Sequence, residues 1–119
     1  MSDTEMINAS APKTKQLTTT GDSQNATFSF YNEDHTLGNL LRNQIAKNKQ
    51  VDFCAYSVPH PSEPICNIRV QVSEQAPADS DANQALKHGL KRISKMCDAL
   101  TEKFENSLAA YKEANGMSD

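Results

Sequence analysis

The sequence predicts an α+β domain, with an antiparallel sheet of about four strands packed by a short helix and a long C-terminal helix. Three observations carry that prediction. Several short segments alternate apolar and polar residues, the period of a half-buried strand. Two others repeat apolar residues at i, i+3 and i+4, the stripe of an amphipathic helix. The whole chain is 119 residues, enough for one core and too short for a two-domain enzyme.

Residues 1–14 mix small polar groups with few large apolar ones. Such a stretch buries too little surface to offset its ordering entropy, so a disordered tail is expected there, followed by a domain over 15–115 and a short tail over 116–119. Lys15–Thr20 has weak strand character, and Gly21 to Asn25 suits a hairpin turn. In the next strand, Ala26–Tyr31, Ala26, Phe28 and Phe30 point one way and Thr27, Ser29 and Tyr31 the other. A helix over about Thr36–Asn48, entered through Asp34 or Thr36 as N-cap, puts Leu37, Leu40, Leu41 and Ile45 on one face. Val51–Val58 is the third strand, with Val51, Phe53 and Ala55 opposing Tyr56 and Val58. Pro59, Pro61 and Pro64 then stiffen an extended loop. Ile65–Val72 alternates most cleanly, Ile68, Val70 and Val72 against Asn67, Arg69 and Gln71. The last helix starts near Asp79–Asp81, whose carboxylates suit the positive end of its dipole, and stops near Asn115-Gly116.

That last helix is the informative element. Leu86, Leu90, Ile93, Cys97, Leu100, Phe104, Leu108 and Tyr111 follow one another at steps of three or four residues, one stripe along a single face. From Ser80 to Ala114 the helix would run about 52 Å, against a diameter of only about 32 Å for a compact body of this size. Its own domain cannot cover it. Leaving the distal stripe in water forgoes roughly 1.5–3 kcal/mol per large aliphatic or Phe side chain and creates a patch of the kind that marks association. The alternative is a helix that breaks or folds back. Its one interior breaker, Gly89, costs about 1 kcal/mol, too little to decide the matter. A partner subunit lying along the stripe is the expectation.

Composition narrows the function further. The 12 Lys and Arg against 15 Asp and Glu leave a charge of −3, unlike the basic excess of an autonomous nucleic-acid binder. The cluster Lys87, His88, Lys91, Arg92 and Lys95 reads as a solvated helix face. Three cysteines without C-x-x-C spacing point away from a disulfide framework and toward a reducing cytosolic or nuclear compartment. Neither a signal peptide nor a membrane-spanning apolar run is expected. His35, Cys54, His60 and Cys66 are the candidate metal ligands, but they lack paired spacing. A Cys66/His60 nucleophile has neither an orienting third group nor an oxyanion donor in the sequence. No cofactor and no catalytic residue is expected. Gly38 lies inside the first helix, where glycine costs stability and often marks a close approach of another backbone. With Leu37, Leu41 and Ile45 beside it, a tight helix crossing is expected there, the alternative being a tolerated first-turn glycine.

The run Glu33-Asp34-His35-Thr36-Leu37-Gly38-Asn39-Leu40-Leu41-Arg42 resembles the signature of the α-like subunits of RNA polymerase. Tyr56 to Pro64 and Asn67 to Gln71 resemble, more narrowly, the small α-like subunits of the kind common to eukaryotic polymerases I and III, rather than their polymerase II or archaeal subunit L counterparts. The likeness covers about residues 26–113. It implies an α-like dimerisation fold and a non-catalytic subunit that pairs with a larger α-like subunit, nucleates assembly and docks the large catalytic subunits. It also implies a nuclear location including the nucleolus, contact with nucleic acid only through the complex, and none with membrane. By this analogy Leu37, Gly38, Leu41 and Ile45, with the stripe from Leu86 to Tyr111, form the heterodimer interface. The bacterial pattern has an Arg doublet where this chain has Arg42-Asn43, so docking to a large subunit falls to Arg42 alone. The competing expectations are the equivalent subunit of RNA polymerase II and, from a different class, a free-standing homodimeric scaffold using the same stripe.

Overall fold

The computed structural model describes residues 16–117; the tail expected over 1–14 lies outside the described residues. The elements are β1 (Leu17–Gly21), β2 (Asn25–Tyr31), α1 (His35–Ala46), β3 (Val51–Ser57), β4 (Ile65–Val72) and α2 (Ala82–Ala114). The strands form one antiparallel sheet in the order β1-β2-β4-β3. This is the expected α+β architecture.

Local chemistry accounts for the boundaries. At the β1–β2 turn Gly21 takes φ +104°, a conformation that costs glycine little, and Asp22 Oδ1 accepts hydrogen bonds from the backbone N–H of Gln24 at 2.9 Å and Asn25 at 2.7 Å. These two bonds hold the Asp22 carboxyl below the usual carboxylate range. Asp34 caps α1 by accepting from Thr36 N–H at 2.9 Å, and Asp81 caps α2 by accepting from Gln84 N–H at 2.8 Å. The first turn of α2 is also tied to the β1–β2 hairpin, because Ala82 N–H donates to Ser23 O at 2.7 Å.

Both helices pack on one face of the sheet. There Ala26 and Phe28 of β2 and Cys66, Ile68, Val70 and Val72 of β4 meet Leu41 and Ile45 of α1 and Ala82, Ala85 and Leu86 of α2. The opposite face is polar: Ser29 Oγ donates to Asn67 Oδ1 at 2.6 Å, and Arg69 Nη1 donates to Thr27 Oγ1 at 3.2 Å. One covered face and one wet face is what the alternation in β2 and β4 demands.

β3 departs from the expected alternation. The register shifts between Val51 and Phe53, so an extra residue inverts the period-two pattern along the strand. Val51, Cys54, Tyr56 and Val58 pack against the core, while Phe53 is exposed. The expected partition, with Val51, Phe53 and Ala55 on one side, is therefore corrected.

α2 is a single helix, neither broken nor folded back. At 33 residues it runs about 50 Å.

Candidate partner-binding surface

The first turn of α1 is docked by the residues of its signature run. His35 Nδ1 lies 3.0 Å from the Tyr56 hydroxyl, in hydrogen-bond contact, and the two rings meet edge to face at 5.5 Å. One turn on, a Cβ added at Gly38 would come within 2.6 Å of both Cys66 Sγ and the Tyr56 ring. The close approach at Gly38 is thus between helix and sheet, which corrects the expected helix crossing at this residue. The crossing lies instead at Gly89, where a Cβ would meet Ile45 Cγ1 at 2.7 Å and Leu41 Cδ1 at 3.3 Å.

This packing divides the candidate interface residues into two sets. Gly38, Leu41 and Ile45 are buried in the chain's own core, and Leu86 is 6% exposed. Within this chain they present no free surface, unlike the rest of the expected interface set. Leu37 and Ile93 are half-buried, and Leu90 is exposed. From Ser94 to Tyr111 every residue is exposed. In that stretch Leu100 is 70% exposed, Phe104 64%, Tyr111 59% and Leu108 39%, and Cys97 is also open. Residues 94–114 extend about 30 Å with no cover among the described residues.

Two further apolar groups escaped the sequence reading of the interface. Leu40 on α1 and Met96 on α2 are both exposed. Met96 stands three residues after Ile93 and four before Leu100, so the i, i+3, i+4 rule would have placed it on this face. Leu40 was legible as part of the α1 stripe, but periodicity could not separate its exposed edge from the buried edge at Leu41.

Arg42 is half-buried and its Nη2 donates to Asn39 Oδ1 at 2.8 Å, one helical turn back. Cys66 is buried beneath Gly38 and Tyr56, whereas His60 is exposed in the proline loop, where its carbonyl accepts from Glu63 N–H at 3.2 Å. Burial pushes the Cys54 thiol up to about 11 despite the opposing pull of Arg42. Cys66 is raised by burial and then by the Glu33 and Asp34 carboxylates. Thiols held protonated in this way are poor nucleophiles. No three His, Cys, Asp or Glu side chains are grouped as metal ligands among the described residues. None of the described helices is long and apolar enough to cross a membrane.

Known proteins share this arrangement. The sequence profile of the RNA polymerase Rpb3/Rpb11 dimerisation domain matches residues 25–103. The chain is 45% identical over 98 residues to the "DNA-directed RNA polymerases I and III subunit RPAC2" of Saccharomyces cerevisiae, covering 81% of this chain and 66% of that one. It is 39% identical over 95 residues to the subunit of the same name in Drosophila melanogaster, covering 76% and 86% respectively. The chain thus spans slightly less than two thirds of the yeast relative. Among solved structures, the DNA-directed RNA polymerase subunit L of Thermoplasma acidophilum superposes with a TM-score of 0.66 at 26% identity, over 82% of this chain and 92% of that one. With its sheet, its crossed helices and its uncovered stripe, the chain belongs to the RNA polymerase Rpb3/Rpb11 dimerisation-domain family.

Proposed function

We propose that this chain is a non-catalytic assembly subunit of DNA-directed RNA polymerases I and III. It pairs with a larger α-like subunit, and the heterodimer nucleates assembly and docks the large catalytic subunits, supporting synthesis of ribosomal, transfer and other small RNAs in the nucleus, the nucleolus included. The observation that carries this reading is the bare distal half of α2. Leu100, Phe104, Leu108 and Tyr111 stand uncovered by any of the described residues on a continuous helix, and a second polypeptide lying along the stripe would cover them. The names of the relatives support this assembly, as does the signature run from Glu33 to Arg42. Leu37, Leu90, Ile93, Cys97 and the distal stripe form the heterodimer contact, and Arg42 is the candidate for docking a large subunit.

Co-expression with the larger α-like subunit tests the proposal. The expected result is a soluble 1:1 complex on gel filtration. Replacing Leu100 and Phe104 with Asp should abolish it, because two carboxylates would be buried without partners. Normal recovery of the complex from that double variant overturns the interface. A stable homodimer in sedimentation of the isolated chain would favour the free-standing scaffold. Co-purification of only polymerase II catalytic subunits from cells would overturn the assignment to polymerases I and III.

A further inference from the structure

The basic cluster of α2 is not spread over a solvated face alone. Together with the turn after α1 it lines a groove of about 500 Å³, with Lys47 and Lys49 on one wall and His88, Lys91, Arg92 and Lys95 on the other. The walls are fixed in place. Asn48 Oδ1 accepts from Gln50 N–H at 2.9 Å, Asn48 O accepts from Val51 N–H at 3.1 Å, and Gln50 O accepts from Ser73 N–H at 2.8 Å. The contact of Gly89 with Ile45 brings α2 against α1 beside the same groove. No Asp or Glu occurs between Asp81 and Asp98. None of the groove's five Lys and Arg side chains pairs with a carboxylate among the described residues. In a chain of charge −3, this is a local concentration of unneutralised cations. Nearby acids face elsewhere: Asp79 and Asp81 line the adjoining recess, and Asp52 lines another with Glu74.

We propose that this groove binds an acidic polypeptide segment of another protein, with a run of three or four Asp or Glu residues laid between the Lys47/Lys49 turn and the Lys91/Lys95 face of α2. From His88 to Lys95 the helix rises about 10 Å, the reach of about three residues of extended chain. Four of the five permanent cations are lysines, which act as point charges on flexible stems and suit successive carboxylates without fixed geometry. Single-stranded nucleic acid fits less well. No Phe, Tyr or Trp lines the groove, which leaves His88 as its one ring for bases to stack on, and the net negative charge of the chain opposes the approach of a long polyanion. None of the groove's lining residues is assigned to the heterodimer contact, although Leu90 and Ile93 lie on the same turns of α2.

Fluorescence anisotropy of the full-length chain with a labelled peptide carrying a tetraglutamate run tests this. The peptide should bind at low salt and be released at high salt. Lys91→Gln with Lys95→Gln, and separately Lys47→Gln with Lys49→Gln, should each weaken it at least about fivefold. The charge-matched control, Lys103→Gln with Lys112→Gln on distal α2, should leave it unchanged, with circular dichroism verifying that each variant is folded. Absence of binding at low salt, equal loss in the control, or loss from one wall only overturns the proposal. So does equal or tighter binding of a labelled single-stranded oligonucleotide with the same dependence on these lysines.

Discussion

The two halves of α2 share one helix and one apolar stripe but meet different surroundings. Up to Ile93 the helix settles on α1 and β4, with Ala82, Ala85, Leu86 and Gly89 all buried and only Leu90 of the stripe exposed. Beyond Ile93 the same spacing continues into solvent. An amphipathic period therefore identifies the face that seeks cover and leaves open what supplies it. Near the sheet the chain covers its own helix; farther out the stripe has outrun the body that would shield it. Stability should accordingly depend on the first half and association on the second.

The largest effect that could break this division is on core packing. Leu41→Ala, at a fully buried position, should lower the unfolding free energy by about 2–5 kcal/mol. Leu100→Ala should move it by less than about 0.5 kcal/mol. Urea unfolding of the full chain measures both, and comparable losses would erase the distinction. Next comes the crossing. Gly89→Ala improves helix propensity by about 1 kcal/mol but drives a methyl into Ile45 Cγ1, an overpacking cost of about 1–3 kcal/mol, so a net loss of stability is expected. A gain would mean that α1 yields easily.

Capping at the two ends sharpens the comparison. Asp81→Ala removes a cap at the packed end and should cost about 1 kcal/mol. At the far end, Asn115 Nδ2 donates to Tyr111 O at 2.8 Å. Asn115→Ala should scarcely change global unfolding, since that end opens locally first; hydrogen exchange of the last turn should rise instead. The smallest perturbation is chemical. At pH 8, iodoacetamide should modify exposed Cys97 well before Cys54, whose raised pKa keeps it protonated until the pH approaches about 11. Bound partner should shield Cys97, and unchanged Cys97 reactivity in the complex would remove this residue from the interface.

Much of this was legible in the sequence, because the governing interactions are local. The alternation in β4 and the i, i+3, i+4 steps of α2 reflect single-element periodicities, and Asp34 and Asp81 bond to N–H groups only two or three residues away. What escaped depends on neighbours remote in sequence. Gly38 and Gly89 look alike as glycines inside helices, yet one admits Tyr56 and Cys66 of the sheet and the other admits Ile45 of a helix. The displaced residue in β3 is fixed by its pairing with β4, so simple alternation puts Phe53 on the side of Val51 when the two lie on opposite sides. On α1, Leu37 and Leu40 could not be told from Leu41 and Ile45 until α2 and the sheet had claimed one edge.

The glycine at residue 89 has a mechanical consequence. It sits at the fulcrum of a lever whose free arm is the outer two-thirds of α2. Thickening this pivot by a single carbon alters the tilt of the arm unless the Ile45 side chain gives way, and the displacement grows with distance along it. If the stripe is the contact proposed above, a residue sealed inside the body would govern where a remote tip meets its mate, and a variant there would miss its counterpart while every side chain on the contact face stays intact.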